Sequence, residues 1–217
     1  MNLTQDVVNM KARTSTLFSE LQKTISSLPT VSEERKEVLQ PLVNYIQEKL
    51  ENKEMISLNF ICTHNSRRSH LSQVWAQTMA YHYQIPNVNT YSGGTEATAM
   101  NSTVVKTLVD NGFKIQQLSN ETNPIYAVKY ADNIPPIIGF SKKYDDDFNP
   151  TSAFGAIMTC SQADEGCPFI AGADKRVPVT YEDPKLYDGT SLEKEKYLER
   201  SLQIAAEMHY VFSTVKA

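Results

Sequence analysis

The stretch from Met55 to Thr78 constrains the fold more than any other part of the chain. The uncharged run ISLNFIC, residues 56 to 62, leads directly into the polar loop THNSR, and Leu71, Val74, Trp75 and Thr78 then recur at helical spacing. So short an apolar run reads as a strand buried on both faces, and the stripe after it as the inner face of a helix. A strand, a tight loop and a helix in that order are the opening unit of an α/β sheet.

The rest of the chain repeats the alternation. Residues 88 to 91 read as a second strand ending in the turn Ser92-Gly93-Gly94. Asn101 then caps a helix through Val104, Val105, Leu108 and Val109 that Gly112 closes. FGAIM, 154 to 158, and VPVTY, 177 to 181, read as further strands. The last helix starts with a capping box from Thr190 to Glu193 and is expected to bury Leu198, Leu202, Ala205 and Phe212. The predicted class is therefore α/β, an open parallel sheet flanked by helices. Upstream, Leu3, Val7, Met10, Leu17, Leu21, Ile25 and Leu28 form one helical stripe. A box from Thr30 to Glu33 opens a second, formed by Val38, Leu39, Leu42, Val43, Ile46 and Leu50, with a kink expected at Pro41. The expected organisation is an αα-hairpin extension over residues 1–54 before a domain over 55–217. Two extended pieces around a pair of prolines form an inserted hairpin at about 124–150.

At 217 residues the chain has room for one core of ordinary size and an appendage. No apolar run approaches the ~18 residues of a membrane span. The start, MNLTQDVVNMKARTS, lacks the basic and apolar segments of a secretory signal, so a cytoplasmic protein with reduced thiols is expected. A formal net charge of -4 offers no general basic surface for nucleic acid. Anion binding must be local.

Cys62 ends the first strand, where open parallel sheets place their ligand crevice. The loop from Thr63 to Arg67 runs into the start of a helix whose first amides lack internal partners, so Thr63, His64, Asn65, Ser66 and Arg67 can turn several N–H groups on one anion. The same setting favours a thiolate and makes Cys62 a candidate nucleophile. Arg68 brings a planar fork suited to two oxygens of phosphate or arsenate, and the Ser69 hydroxyl can reach back to the sulfur. The competing reading of Cys62 is a small buried core residue. His64 and His70 are read as polar residues without chemistry of their own, and Arg67 as a solvated positive neighbour.

The sequence Cys62-Thr63-His64-Asn65-Ser66-Arg67-Arg68-Ser69 resembles the phosphate-binding loop of the low-molecular-weight protein tyrosine phosphatase superfamily, a Cys, five residues, Arg and then Ser or Thr. The resemblance extends to Ser92-Gly93-Gly94-Thr95-Glu96 and to Asp183-Pro184, and covers about residues 55–217. It implies that Asp183 is the general acid. Without the loop, Tyr-Glu-Asp-Pro reads equally well as a surface turn.

Within that superfamily the thioredoxin-coupled arsenate reductases use three cysteines, and this chain has three. The stretch from Thr159 to Pro168 resembles their redox segment. It implies that Cys160 and Cys167 complete a relay with Cys62, with arsenate as substrate, thioredoxin as partner and no cofactor. A zinc site is disfavoured because no second pair of ligands stands at short spacing. Where those reductases commonly carry Gly, Ser and Cys in the loop, this chain has His64, Ser66 and Arg67. Gln73 stands where some members use a glutamate that helps bind potassium, so no ion is expected. A phosphatase acting on phosphate esters, and a non-catalytic oxyanion sensor docking through residues 1–54, are the alternatives. The extension is also a candidate surface for self-association or a protein partner.

Overall fold

The structure is a computed structural model that describes residues 16–166 and 169–216; Leu3, Val7 and Met10 of the first stripe, and Cys167, lie outside the described residues. The elements in chain order are α1 (Ser19–Ser26), α2 (Glu33–Glu51), β1 (Ile56–Cys62), α3 (Arg68–His82), β2 (Val88–Gly94), α4 (Ser102–Asp110) and β3 (Lys114–Gln117). Then come β4 (Tyr126–Lys129), β5 (Ile137–Gly139), β6 (Phe154–Met158), α5 (Ser161–Gly166), β7 (Ala173–Pro178), a 3-10 turn (Pro184–Tyr187) and α6 (Glu193–Thr214). Four strands form a parallel sheet in the order β2-β1-β6-β7, flanked by helices, with α1 and α2 before it. Strands β3, β4 and β5 form a separate antiparallel sheet.

All seven residues of β1 are buried, and their side chains divide by the period of two. Ile56, Leu58 and Phe60 join the large core with Trp75, Tyr197, Ile204 and Phe212, whereas Ile61 joins a smaller cluster with Phe154, Ala156 and Met158. Asn59 shares the second face, and its side-chain amide donates to the Tyr144 carbonyl (3.0 Å). Helix α6 packs against α1, α2, α3 and α4, and α2 also touches β1 and β7. Among the described residues no helix is long and apolar enough to cross a membrane.

Several local expectations are corrected. Ser92, Gly93 and Gly94 are the end of β2 rather than a turn. A Cβ on Gly93 would lie 2.3 Å from the Tyr144 Cα, and one on Gly94 2.3 Å from the Glu96 carbonyl oxygen. Glycine is required there by close approach, not by a turn. The last strand starts four residues before VPVTY, at Ala173, because an edge strand carrying Asp174, Lys175 and Arg176 has little apolar signal. Helix α2 is capped by Ser32, whose hydroxyl accepts from the Arg35 N–H, rather than by Thr30, and it runs through Pro41 without a break. Helix α6 starts at Glu193 with no side-chain cap; its buried face centres on Tyr197, Ser201, Ile204, Met208 and Val211, leaving Leu198 and Leu202 half-buried.

The helical extension is joined to the sheet by charge as well as by its apolar stripe. Arg35 of α2 grips the buried Glu207 of α6 with two bonds, Nε to Oε1 at 2.9 Å and Nη2 to Oε2 at 2.7 Å, and its Nη1 reaches the Thr180 carbonyl (3.4 Å). Removing one partner strands a carboxylate whose side chain is only 3% exposed. Arg35→Ala is therefore expected to cost about 2–3 kcal/mol, read as a lower urea midpoint, with part of the loss restored by a second change, Glu207→Gln. Equal stability of the wild type and the single variant would assign the pair no structural weight.

Candidate active site

Cys62 sits at the carboxyl end of β1, and the loop after it is held from outside through its carbonyl groups. The Cys62 carbonyl accepts from Thr95 N (3.1 Å), Thr63 from Glu96 N (2.8 Å), and Ser66 from Asn101 N (3.0 Å). The His64 carbonyl accepts from two hydroxyls, Thr98 Oγ1 (3.1 Å) and Ser141 Oγ (3.0 Å). In a planar trans peptide the N–H points opposite to the carbonyl before it. Outward carbonyls at these four residues therefore turn the N–H groups of Thr63, His64, Asn65 and Arg67 inward, which makes a concave anion cradle.

The turn itself depends on Asn65, in the left-handed region at φ 43°. Asparagine tolerates that region better than most residues, and here its buried side chain is fixed at both ends. Its Oδ1 accepts from the Lys142 main-chain N–H (2.9 Å), and its Nδ2 donates to Ser69 Oγ (2.8 Å). Ser69 Oγ in turn lies 3.1 Å from Cys62 Sγ. The hydroxyl already accepts from Asn65, so its own hydrogen is free to point at sulfur and support a thiolate.

Arg68 opens α3 and is 7% exposed. Its Nη1 donates to the Tyr181 carbonyl (3.1 Å) and its Nη2 pairs with Asp183 Oδ2 (2.5 Å), while Nε is buried without an acceptor. Asp183 also accepts from Lys185 N through Oδ1 (3.1 Å) and so caps the 3-10 turn. The turn and the site are thus compatible uses of one residue. A small cavity is lined by Cys62, His64, Ser66, Arg67, Arg68 and Asp183, with no Phe, Tyr or Trp among them.

Arg67 is not a solvated neighbour: its side chain is 13% exposed, paired to Asp188 (2.6 Å) and bonded to the Tyr197 hydroxyl (2.5 Å). His64 is half-exposed at the cavity, its Nε2 3.7 Å from Glu96. His70 is buried, with Nδ1 3.3 Å from Ser92 Oγ. Burial, then the nearby Lys142 charge, pushes its pKa down to about 3, so it is neutral at ordinary pH.

Cys160 follows the end of β6, which pairs with β1 in the register Ile61 to Met158. That register sets Cys160 one residue out of step with Cys62 on the neighbouring strand, roughly 6 Å between Cα atoms for ordinary sheet spacings. Both cysteines are in the same buried apolar cluster, with Ala163 and Ile170. Cys160 Sγ lies 3.4 Å from Thr63 Oγ1 and accepts from the Ala163 N–H (3.4 Å). Cys62, Arg68, Asp183 and Cys160 are thus brought together. Cys167, the remaining member of the expected set, lies outside the described residues. The residues that sequence reasoning missed are Ser141 and Lys142, which brace the loop from 77 positions away, and Tyr181, whose carbonyl orients Arg68. Among the described residues no three His, Cys, Asp or Glu side chains gather to hold a metal.

A Cys-x5-Arg-Ser loop between the first strand of a parallel sheet and the helix that follows it, with an Asp-Pro segment whose Asp183 pairs with Arg68, resembles the arrangement of the low-molecular-weight phosphatase fold. In sequence the chain is similar to bacterial arsenate reductases. It is 27% identical over 141 residues to the arsenate reductase of Bacillus subtilis, spanning 65% of this chain and 83% of the relative. It is 26% identical over 143 residues to the arsenate reductase of Halalkalibacterium halodurans, spanning 66% and 83%. No family model matches the chain. Solved structures similar to it include a low-molecular-weight phosphotyrosine phosphatase from Vibrio cholerae, with a TM-score of 0.48 and 14% identity, covering 73% of this chain and 94% of that one. Another is an arsenate reductase in the phosphate-binding state, with a TM-score of 0.47 and 17% identity, covering 75% and 100%.

Proposed function

We propose that this protein is a cytoplasmic arsenate reductase that works through a three-cysteine relay recycled by thioredoxin. The observation that carries the reading is Cys160, buried beside Cys62 at the end of the adjacent strand, a position that phosphate-ester hydrolysis does not require. The Cys62 thiolate attacks As(V), a sulfur–arsenic bond forms, and one oxygen leaves as water with a proton from Asp183. Cys160 as thiolate then attacks the Cys62 sulfur. The sulfur–arsenic bond breaks, its electron pair stays on arsenic, and arsenite departs as As(III) with a Cys62–Cys160 disulfide left behind. Cys167 attacks the Cys160 sulfur and releases the Cys62 thiolate. Thioredoxin supplies the two electrons that reopen Cys160–Cys167.

The cavity suits a small anion, since among the described residues no Phe, Tyr or Trp lines it to receive an aryl ring. The unpaired Arg68 Nε is a donor left for an anion oxygen, and Nη2, now holding Asp183, suits a second. Helix α5 fills the six positions between Cys160 and Cys167, and a helix continued over the whole span would set ~10 Å of rise between the two Cα atoms, against the ~7 Å that a disulfide tolerates. The last exchange therefore requires α5 to open, and with it the tie from Asp164 to Arg176 (2.5 Å). Opening also presents the product disulfide to thioredoxin.

The test is thioredoxin-coupled NADPH consumption with arsenate, run beside hydrolysis of an aryl phosphate by the same preparation. Arsenate-dependent consumption is expected. Aryl-phosphate hydrolysis with no arsenate reduction would make the protein a phosphatase, the reading that Cys62, Arg68 and Asp183 support by themselves. Asp183→Asn is expected to slow hydrolysis of esters with poor leaving groups by about 10²-fold or more and to affect good leaving groups little. An equal loss across phenols of widely different acidity would remove the general-acid role.

A further inference from the structure

Lys142 is 2% exposed, and its ammonium is held by the Phe140 carbonyl (3.3 Å) and the ring faces of Phe140 (4.3 Å) and Phe148 (5.2 Å), not by a carboxylate. A buried charge with such weak partners is costly, and a neutral side chain of the same length would fill the space at lower cost. Its main chain is tied on both sides: its N–H donates to Asn65 Oδ1 of the oxyanion loop (2.9 Å) and its carbonyl accepts from Gly94 N at the end of β2 (2.9 Å). From Asn65 the hydrogen bonds continue to Ser69 and Cys62 Sγ. His70, in the first turn of α3, feels the Lys142 charge and is neutral; Asp146, on Lys142's own loop, is the acidic group acting on it. Nothing else in the proposed chemistry uses this side chain.

We propose that Lys142 is a positioning residue that acts as a built-in cation: its ammonium, buried against the rings of Phe140 and Phe148, adds positive potential to the anion received by Cys62 and Arg68, and its main chain holds Asn65 in the turn. The proposal rests on the loop being an oxyanion site, but not on arsenate being the substrate. Burial pulls the Lys142 pKa down to about 8, so the ammonium is the main form at neutral pH. The sign of the stability effect follows. Below about 8 the charged group is carried by folded and unfolded chains alike and the folded state bears its desolvation; that cost disappears as pH rises toward the ordinary lysine value.

The experiment uses the full chain with Lys142→Met and inorganic phosphate as the probe. Three quantities are read: the phosphate dissociation constant by calorimetry, the rate of Cys62 alkylation by iodoacetamide at neutral pH, and the melting temperature. The Met variant is expected to melt at or above the wild-type temperature, to bind phosphate about tenfold more weakly, and to be alkylated several-fold more slowly. Wild-type phosphate affinity with an unchanged alkylation rate would overturn the proposal. So would weaker binding accompanied by a lower melting temperature, which would assign the side chain to packing. Should the Met variant not fold, Lys142→Gln is judged by the same three readouts. Since neither phosphate binding nor alkylation involves arsenate, failure of the reductase reading leaves this test intact, and failure here leaves arsenate turnover untouched.

Discussion

Protein carrying Cys62→Ser is expected to reduce no arsenate and to hydrolyse no aryl phosphate, a loss of about 10³-fold or more in either assay. The loop amides, the start of α3 and the Ser69 hydroxyl 3.1 Å from Sγ all favour a negative charge on the atom at this position. A serine hydroxyl ionises so much less readily that the same surroundings leave it protonated. The variant should fold, because Ser for Cys is nearly isosteric and the outward carbonyl bonds of the loop do not involve the sulfur. Phosphate binding by calorimetry then separates a lost nucleophile from a lost site. Retained binding without turnover is expected, and turnover by the purified variant would place the nucleophile elsewhere.

Cys160→Ser is expected to abolish repeated arsenate reduction while leaving aryl-phosphate hydrolysis within about threefold of wild type. Hydrolysis ends with water displacing phosphate from Cys62, a step in which Cys160 has no part. Reduction cannot finish without a second sulfur to take over Cys62 and leave the electron pair on arsenic. Cys167→Ser should instead complete one turnover and stop at a Cys62–Cys160 disulfide, which peptide mapping after arsenate treatment detects. Sustained thioredoxin-dependent turnover by either serine variant would overturn the three-cysteine relay. The register of β1 against β6 makes the trapped pair sterically reasonable, because roughly 6 Å between Cα atoms falls within the range that disulfides adopt.

How much of this was legible in the residues depended on how local the determining interactions are. β1 and its loop stood out because a buried parallel strand must be apolar throughout and a cradle must follow it; both constraints act over a dozen neighbouring positions. Fold class followed from the alternation of periods. Boundaries were less legible where exposure is mixed. β7 carries Asp174, Lys175 and Arg176, and β3 is KIQQ with three exposed residues, so neither has an apolar pattern that announces its full length. The buried face of α6 was misplaced for a related reason. Arg200 and Ser201 lie on it, and a count of apolar residues passes over both. The brace from Ser141 and Lys142 had no local signal, since its meaning is a contact made across 77 residues. SKKY reads as a solvated strand end until the fold brings it behind Asn65.

The Arg68–Asp183 pair has a consequence for how the site fills. An arriving oxyanion finds Arg68 Nη2 already occupied by a carboxylate from the same chain, a tethered competitor whose local concentration is of millimolar order or above. Weak or singly charged anions therefore lose to it, and only a ligand able to satisfy Nη2 together with the orphan Nε and the inward amides displaces it. Displacement leaves the Asp183 carboxyl beside the bound anion and released from Arg68, next to the oxygen that has to leave. The ligand that opens the gate therefore also sets the acid in place.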